Sequence, residues 1–123
     1  MRAWKGLRKA IPKIELVAFE PLQSPLLTTG KGGSLQVEGI GVGFEPPFLN
    51  KSVLSEIRAI DHKKGGSMCR QLANEDGVFC GASTDLNVVG AIELAKEIGP
   101  RVVTFACDSG LKYLGEHVFL KKN

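Results

Sequence analysis

The sequence predicts an α/β protein, a three-layer αβα domain with a mainly parallel sheet of about four strands. Short apolar runs of strand length alternate along the chain with stretches whose apolar residues recur at helical spacing. The strand-like runs are largely apolar throughout, which is typical of parallel strands covered on both faces. The length of 123 residues suits one domain spanning 1–123, and the hydrophobic fraction of 43% is ordinary for a globular protein.

The chain opens with a predicted basic amphipathic helix, which Pro12 ends. Its apolar residues fall at helical spacing, and its basic residues take other positions. The apolar set is Trp4, Leu7, Ala10 and Ile11, and the basic set is Arg2, Lys5, Arg8, Lys9 and Lys13. We interpret the apolar stripe as buried and the basic side as solvated. A transit peptide and a phosphate-binding arm are the alternatives.

Two strands are predicted next, with a long connection between them. Residues 14–19 form the first strand, which Pro21 ends, and residues 57–60 form the second. The intervening residues 21–50 are rich in glycine and proline and show little periodicity. So long a connection is unusual in a compact domain, and we interpret it as a loop that covers a functional site.

Two helices and a further strand are predicted in the second half. Residues 67–76 form the first helix, which Gly77 ends. The second helix has Ser83 or Thr84 as its N-cap and ends where Gly99 meets a proline. The clearest buried strand then follows; its residues are Val102, Val103, Thr104, Phe105 and Ala106, within the range 101–107.

The composition excludes several classes of function. A net charge of +3 is too slight a bias to indicate nucleic-acid binding, and no apolar run approaches the about 20 residues of a membrane span. Cys69, Cys80 and Cys107 are widely spaced and unpaired in pattern, which indicates free thiols in a reducing cytoplasm. His62 and His117 are too isolated to predict a zinc site, so no metal is expected.

Three stretches of small residues have the composition of ligand-binding loops. Residues 39–43 lack the third spaced glycine of a dinucleotide fingerprint, and residues 30–34 lack the spacing of a phosphate-binding P-loop. Residues 81–84 are more informative, because a small-residue turn before a helix lets the backbone approach a ligand while Ser83 presents a hydroxyl. The alternative is that Ser83 only caps the helix.

Four stretches together resemble the C-terminal half of the cysteine synthase and cystathionine β-synthase family, the pyridoxal-phosphate enzymes of fold type II. They are residues 37–44 (VEGIGVGF), 70–77 (RQLANEDG), 81–84 (GAST) with Asn87, and 106–114 (ACDSGLKYL). Each motif is moderately specific, but their order and spacing match the family over nearly the whole chain.

The resemblance implies roles for individual residues. The serine that aligns with Ser83 donates a hydrogen bond to the pyridine nitrogen of the cofactor in the family. The remaining cofactor-binding positions are expected to be Thr84 beside it, and Cys107 and Asp108 at the turn that lies next to the ring. The loop that contains Gly39, Gly41 and Gly43 is expected to line the substrate entrance.

Relatives place further motifs upstream of the residue that aligns with Met1. These are the Schiff-base lysine, the substrate-carboxylate loop and the phosphate loop, and we find none of them in this sequence. The resemblance therefore implies an incomplete αβα domain without catalytic residues of its own. The parent chemistry is β-replacement on an O-activated serine. Pyridoxal phosphate is the cofactor of the family, and we expect this chain alone to bind none.

These expectations give two hypotheses of function. The first is a non-catalytic remnant of a cysteine synthase-type enzyme, which we favour, or a half-enzyme completed by a missing N-terminal half. The second is an interaction module that binds a copy of itself or another protein through apolar faces that the lost half would have covered. In either case we expect a homo-oligomer or a complex in the cytoplasm, away from membranes.

The sequence departs from the family at two places. Asp85 stands where relatives carry glycine, next to the expected ring-binding residues, so it either disturbs the fit of the cofactor or is a neutral substitution in the first helical turn. Gly65 and Gly66 stand where relatives begin a helix with acidic residues, and we expect them to weaken that helix start.

Overall fold

The computed structural model describes residues 2–33, 44–61 and 65–114. The helices are α1 (Arg2–Ala10), α2 (Leu26–Thr29), α3 (Gly65–Glu75) and α4 (Ala82–Ile98), and the strands are β1 (Val17–Pro21) and β2 (Glu56–Ile60). Short 3₁₀ turns lie at Lys51–Val53 and Gly110–Tyr113. The expected entrance-loop residues Gly39, Gly41 and Gly43 lie outside the described residues, as do His62 and His117. Within the described ranges, no helix has the length and apolar character needed to cross a bilayer.

β1 and β2 form a parallel pair in which Val17 lies opposite Glu56 and Pro21 lies opposite Ile60. The predicted α/β class is confirmed. The predicted number of about four strands is wrong for the described residues, which contain these two strands and one isolated antiparallel bridge between Cys80 and Ser109.

The missing strand is the one that had the strongest pattern. Residues 101–107 form no strand, and their large side chains are exposed, with Val103 at 89% and Phe105 at 60%. A strand requires a hydrogen-bonded neighbour, and the described residues supply none at this position. The apolar pattern shows that the segment is suited to form a strand. It stays irregular because the described residues contain no strand that pairs with it.

The core lies between the sheet and α4. Ile60, Ala82, Leu86 and Tyr113 form its buried cluster, with Phe19 and Val89 packed against it. Gly90 lets α4 approach β1 closely, because a Cβ at this position would lie 2.8 Å from the Phe19 ring. The predicted helix ends are confirmed, since Gly77 follows α3 at φ +68° and Gly99 follows α4 at φ +100°.

α1 ends at Ala10 as Pro12 predicts, but its apolar stripe is not buried as a whole. Trp4 is 7% exposed, whereas Leu7, Ala10 and Ile11 are exposed. The prediction of a buried stripe is wrong because Trp4 alone of its four residues packs against the rest of the domain. The guanidinium of Arg8 lies 5.0 Å from the centre of the Trp4 ring, so part of the basic side of α1 packs against the helix itself.

The long connection predicted at residues 21–50 is not wholly irregular, because it contains α2. The buried carboxylate of Glu20 accepts hydrogen bonds from the amides of Leu27 and Thr28, both at 2.7 Å. A side chain from the end of β1 therefore satisfies the first amides of this short helix.

Candidate functional site

The first turn of α4 is hydrogen-bonded to the carboxylate of Asp108, which follows the end of this helix in the sequence. The amides of Ser83 and Thr84 donate to the two oxygens of Asp108 at 2.9 and 2.8 Å, and the Thr84 hydroxyl donates to Asp108 Oδ1 at 2.6 Å. These amides have no partner within the helix, and the carboxylate also offsets the positive end of the helix dipole.

Tyr113 and Gly81 complete this arrangement. The Tyr113 hydroxyl donates to Asp108 Oδ2 at 3.1 Å, and the Gly81 amide donates to the Asp108 carbonyl at 3.2 Å. A Cβ at Gly81 would overlap the Tyr113 ring and the Asp108 carboxylate. Glycine is therefore needed at this turn because the chain comes very close to its neighbours.

Hydrogen bonding sets the charge state of Asp108. Burial alone would raise the pKa of this carboxyl, but the donors from Thr84, Ser83 and Tyr113 outweigh burial and lower the pKa below its usual value. Asp108 is therefore an anion throughout the neutral range. Both of its oxygens accept hydrogen bonds from the protein.

The prediction that Ser83 or Thr84 is the N-cap of this helix is wrong. Gly81 is the N-cap and makes no side-chain cap, and both predicted residues lie inside the first turn. The capping carboxylate comes from Asp108, 24 and 25 residues further along the chain. No local pattern could have identified it; the resemblance alone pointed to this position.

The Ser83 hydroxyl is the free group of this site. It is partly buried and has no hydrogen-bond partner in the described part of the chain, whereas the Thr84 hydroxyl and the Asp108 carboxylate bond to each other. The Cys107 side chain is exposed, and its Sγ lies 3.5 Å from Asn87 Nδ2. Of the four predicted cofactor-binding residues, Ser83 is thus the one with a hydroxyl to offer.

Asp85 lies on another side of α4. Residues two apart on a helix are separated by about 200° of rotation, so Asp85 and Ser83 face nearly opposite directions. The Asp85 side chain is 1% exposed, and its Oδ1 accepts a hydrogen bond from the Cys69 amide in α3 at 2.7 Å. Its bulk therefore occupies the contact between α3 and α4, away from Ser83.

The surroundings of Asp85 are poor in donors. Its Oδ2 is buried without a hydrogen-bond partner among the described residues, and burial raises the pKa of the carboxyl to about 6. Two buried thiols lie nearby, with 4.0 Å between the Sγ atoms of Cys69 and Cys80. Burial also raises the pKa of each thiol, so both stay protonated at neutral pH.

Comparison with known proteins gives this site its context. No family model matches the chain. The chain is 36% identical over 117 residues to the cysteine synthase of Staphylococcus aureus (strain N315), which covers 94% of this chain and 38% of the relative. It is 37% identical over 112 residues to a probable cysteine synthase of Bacillus subtilis (strain 168), covering 89% and 36%.

Solved structures agree with this result. O-acetylserine sulfhydrylase isoform 3 from Entamoeba histolytica superimposes with a TM-score of 0.88 at 27% identity, covering 98% of this chain and 37% of that one. The O-acetylserine-dependent cystathionine β-synthase from Helicobacter pylori gives 0.82 at 33% identity, covering 94% and 38%. The fold is that of the C-terminal part of a fold type II pyridoxal-phosphate enzyme.

The resemblance found in the sequence is thereby confirmed. The chain is similar to the C-terminal part of proteins of the cysteine synthase type, and it spans about 38% of the length of the curated relatives that it matches. Proteins of this family use pyridoxal phosphate. Among the described residues the Ser83 hydroxyl is a donor of the kind that a ring nitrogen can accept, whereas the helix amides beside it already bond Asp108 and are not available to a phosphate.

Proposed function

We propose that this chain supplies the ring-nitrogen side of the cofactor site in a pyridoxal-phosphate enzyme of the cysteine synthase type, and does not catalyse the reaction alone. The observation that carries the proposal is the Ser83 hydroxyl, which has no partner among the described residues although both backbone amides at 83 and 84 are fixed. A partly buried donor without a partner, on a rigid turn, is suited to bind a ligand acceptor.

Bound pyridoxal phosphate would supply the electron sink for replacement at the β-carbon of an O-activated serine. Ser83 would orient the ring by donating a neutral hydrogen bond to its nitrogen. A hydroxyl carries no charge, so it does not favour a protonated ring as a facing carboxylate would. Asp108 stays out of that role because its two oxygens accept bonds from the helix start and from Tyr113.

The geometry favours the half-enzyme over the remnant. The remnant hypothesis treated Ser83 as a helix cap and left open whether Asp85 intrudes on the cofactor. Ser83 is not the cap, and the Asp85 side chain lies between α3 and α4. The matched stretch is 38% of the relative, so we propose that the phosphate-binding and catalytic groups come from the part that this chain does not span.

The test is a fused chain. The part of the S. aureus cysteine synthase that precedes the matched stretch is joined to this chain, and cysteine formation from O-acetylserine and sulfide is measured. We expect no activity from this chain alone and cofactor-dependent activity from the fused chain. Activity of the isolated chain, or a fused chain that folds but does not bind pyridoxal phosphate, would contradict the proposal.

A matched substitution tests the role of Ser83. In the fused chain, Ser83→Ala should lower the cofactor-dependent rate about five- to tenfold, the effect of one neutral hydrogen bond of about 1 kcal/mol. Ser52→Ala is the control, because Ser52 is exposed in a 3₁₀ turn. Equal effects of the two substitutions would show that Ser83 does not contribute to cofactor binding.

Self-association is the second candidate function, and it has an observation of its own. Val103 and Phe105 are 89% and 60% exposed on a segment without a strand partner, and exposed apolar surface of this kind favours association. Sedimentation velocity of the isolated chain over a wide range of concentration tests it. A monomer at the highest concentration would exclude this candidate.

A further inference from the structure

Three buried side chains form a cluster, here called the thiol cluster, where α3 packs on α4. It consists of Cys69 in α3, Cys80 just before α4 and Asp85 in the first turn of α4. Their exposed fractions are 0%, 1% and 1%. The cofactor site proposed above uses none of these residues. An inference from the thiol cluster therefore goes beyond the proposed function and does not depend on it.

The two sulfurs of the cluster lie in contact and are anchored by the fold. The Cys80 thiol donates to Cys69 Sγ at 4.0 Å, and the Cys69 thiol donates to the Gly81 carbonyl at 3.5 Å. Cys69 is held by α3, and Cys80 is held by its antiparallel bridge to Ser109. A disulfide joins sulfurs about 2 Å apart, so the two atoms need to approach by about 2 Å, which side-chain rotation of both residues supplies.

The position of the pair favours an internal bond over one to another molecule. α3 ends at Glu75, and residues 76–81 lead directly to the start of α4. Because both sulfurs have fixed places in the folded chain, a sulfur that is oxidised meets its neighbour before any thiol from solution. Cys107 differs, since it is exposed and contacts the Asn87 amide group rather than a second sulfur.

The carboxylate of Asp85 sets the reactivity of the pair. Its Oδ1 accepts the Cys69 amide at 2.7 Å, and its buried Oδ2 has no hydrogen-bond partner in the described ranges. Burial is the main cause that raises the pKa of both thiols, and the negative charge of Asp85 raises it further. The thiolate is the nucleophilic form of cysteine, so this charge keeps the resting pair protonated and slow to react.

We propose that Cys69 and Cys80 are an internal modification site, which hydrogen peroxide converts to a disulfide, and that Asp85 restrains this conversion. In the first step one thiolate attacks a peroxide oxygen, the O–O bond breaks, and a sulfenic acid and water form. In the second step the other thiol attacks the sulfenic sulfur; the S–S bond forms and the S–O bond breaks as water leaves. The two sulfurs give two electrons to the peroxide, and the two thiol protons end in the two molecules of water.

Mass spectrometry of the peroxide-treated chain tests the pair. The chain carries Cys107→Ser, which removes the exposed thiol, and the remaining thiols are alkylated after denaturation. We expect a mass loss of about 2 Da for two hydrogens, a peptide link between residues 69 and 80, and reversal by dithiothreitol. The melting temperature should rise by about 5 °C or more on oxidation, because the bond restricts the unfolded chain. Two alkylated thiols after prolonged treatment, or sulfonic acids without a link, would overturn the proposal.

Variants with one thiol separate pairing from ordinary oxidation. Cys69→Ala and Cys80→Ala, each with Cys107→Ser, leave one sulfur of the cluster. A sulfenic acid formed there has no neighbouring thiol to react with, so dimedone should label it at least about tenfold more than it labels the paired chain. Equal labelling of the paired and single-thiol chains would contradict a rapid second step. If a variant does not fold, the peptide link in the paired chain decides.

Asp85→Asn tests the restraint. Asparagine keeps an acceptor for the Cys69 amide and removes the charge, so oxidation at neutral pH should be about tenfold faster. Asp76→Asn, at an exposed position after α3, is the matched control and should leave the rate unchanged. In denaturing urea both variants and the parent chain should oxidise at the same rate, because the charge then no longer lies beside the sulfurs. An unchanged or slower rate in the folded Asp85→Asn chain would show that Asp85 does not restrain the pair.

Discussion

Asp108 and Asp85 are two carboxylates that contact the first turns of the same helix, and their environments differ sharply. Asp108 accepts hydrogen bonds from two amides and two hydroxyls, and its pKa is lowered. Asp85 accepts one from the Cys69 amide, has a buried oxygen without a partner among the described residues, and has its pKa raised to about 6. Position at a helix start does not make an acid stabilising; the donors that face it do.

The largest expected effect comes from removing the well-bonded member of this pair. Asp108→Ala leaves the amides of Ser83 and Thr84 without this acceptor and removes one hydrogen bond of the buried Tyr113 hydroxyl. We expect the free energy of unfolding at pH 7 to fall by about 3 kcal/mol, measured by urea denaturation. Asp76→Ala, at an exposed position after α3, is the control. A loss no larger than that of the control would show that Asp108 does not hold the helix start.

The second effect concerns one hydroxyl donor to the same carboxylate, a hydroxyl that also accepts the Asp108 amide at 3.3 Å. The buried Thr84 hydroxyl donates to Asp108 at 2.6 Å, so Thr84→Val keeps the shape and removes a bond to a charged group. We expect a loss of about 2 kcal/mol in the free energy of unfolding. In the variant that already carries Asp108→Ala, the same substitution should cost far less. Additive losses in this double-mutant cycle would contradict the direct bond.

How far the sequence predicted this region can be judged from these residues. Glycine and proline marked the ends of α1, α3 and α4, because their backbone limits act locally. The acids that accept hydrogen bonds from the first amides of α2 and α4 could not be predicted from local sequence patterns. Glu20 lies seven residues before its nearest partner in α2, and Asp108 lies beyond the end of α4. The segment at 101–107 was predicted as a strand because its pattern is local, whereas pairing depends on another segment.

The family resemblance predicted contacts between distant segments, which the local sequence patterns did not. It identified Ser83, Thr84, Cys107 and Asp108 as one group, and the structure brings the start of α4 and the turn at Asp108 into contact. Which of them retains a free hydrogen-bonding group could not be predicted, because that depends on the partners each side chain finds. Likewise, the direction of the Asp85 side chain follows from the packing of α3 on α4.

The third effect concerns the poorly bonded member of the pair. The folded-state pKa of Asp85, about 6, lies above the usual aspartate value of 3.8, so the folded chain binds more protons than the unfolded chain between these values. The contribution of Asp85 to stability therefore rises as pH falls from 7.5 to 5, by about 1 kcal/mol. The unfolding free energy of the wild type, minus that of Asp85→Asn, should therefore increase by that amount between pH 7.5 and pH 5. A difference that is constant with pH would contradict the raised pKa.

The smallest expected effect is the most informative about function. Ser83 lies in the same turn as Thr84, but its hydroxyl has no partner among the described residues, so Ser83→Ala should change the free energy of unfolding by less than about 0.5 kcal/mol. A helix-capping serine would cost about 1 kcal/mol. Ser24→Ala is the matched control, because Ser24 is 2% exposed and its Oγ accepts the Gly33 amide at 3.2 Å, and it should cost about 1 kcal/mol. If Ser83→Ala costs as much as Ser24→Ala, the hydroxyl is engaged in the fold. If it costs nothing in the isolated chain while it weakens cofactor binding in the fused chain, the hydroxyl is free for a ligand, which is the property that separates Ser83 from the fully bonded Asp108 carboxylate.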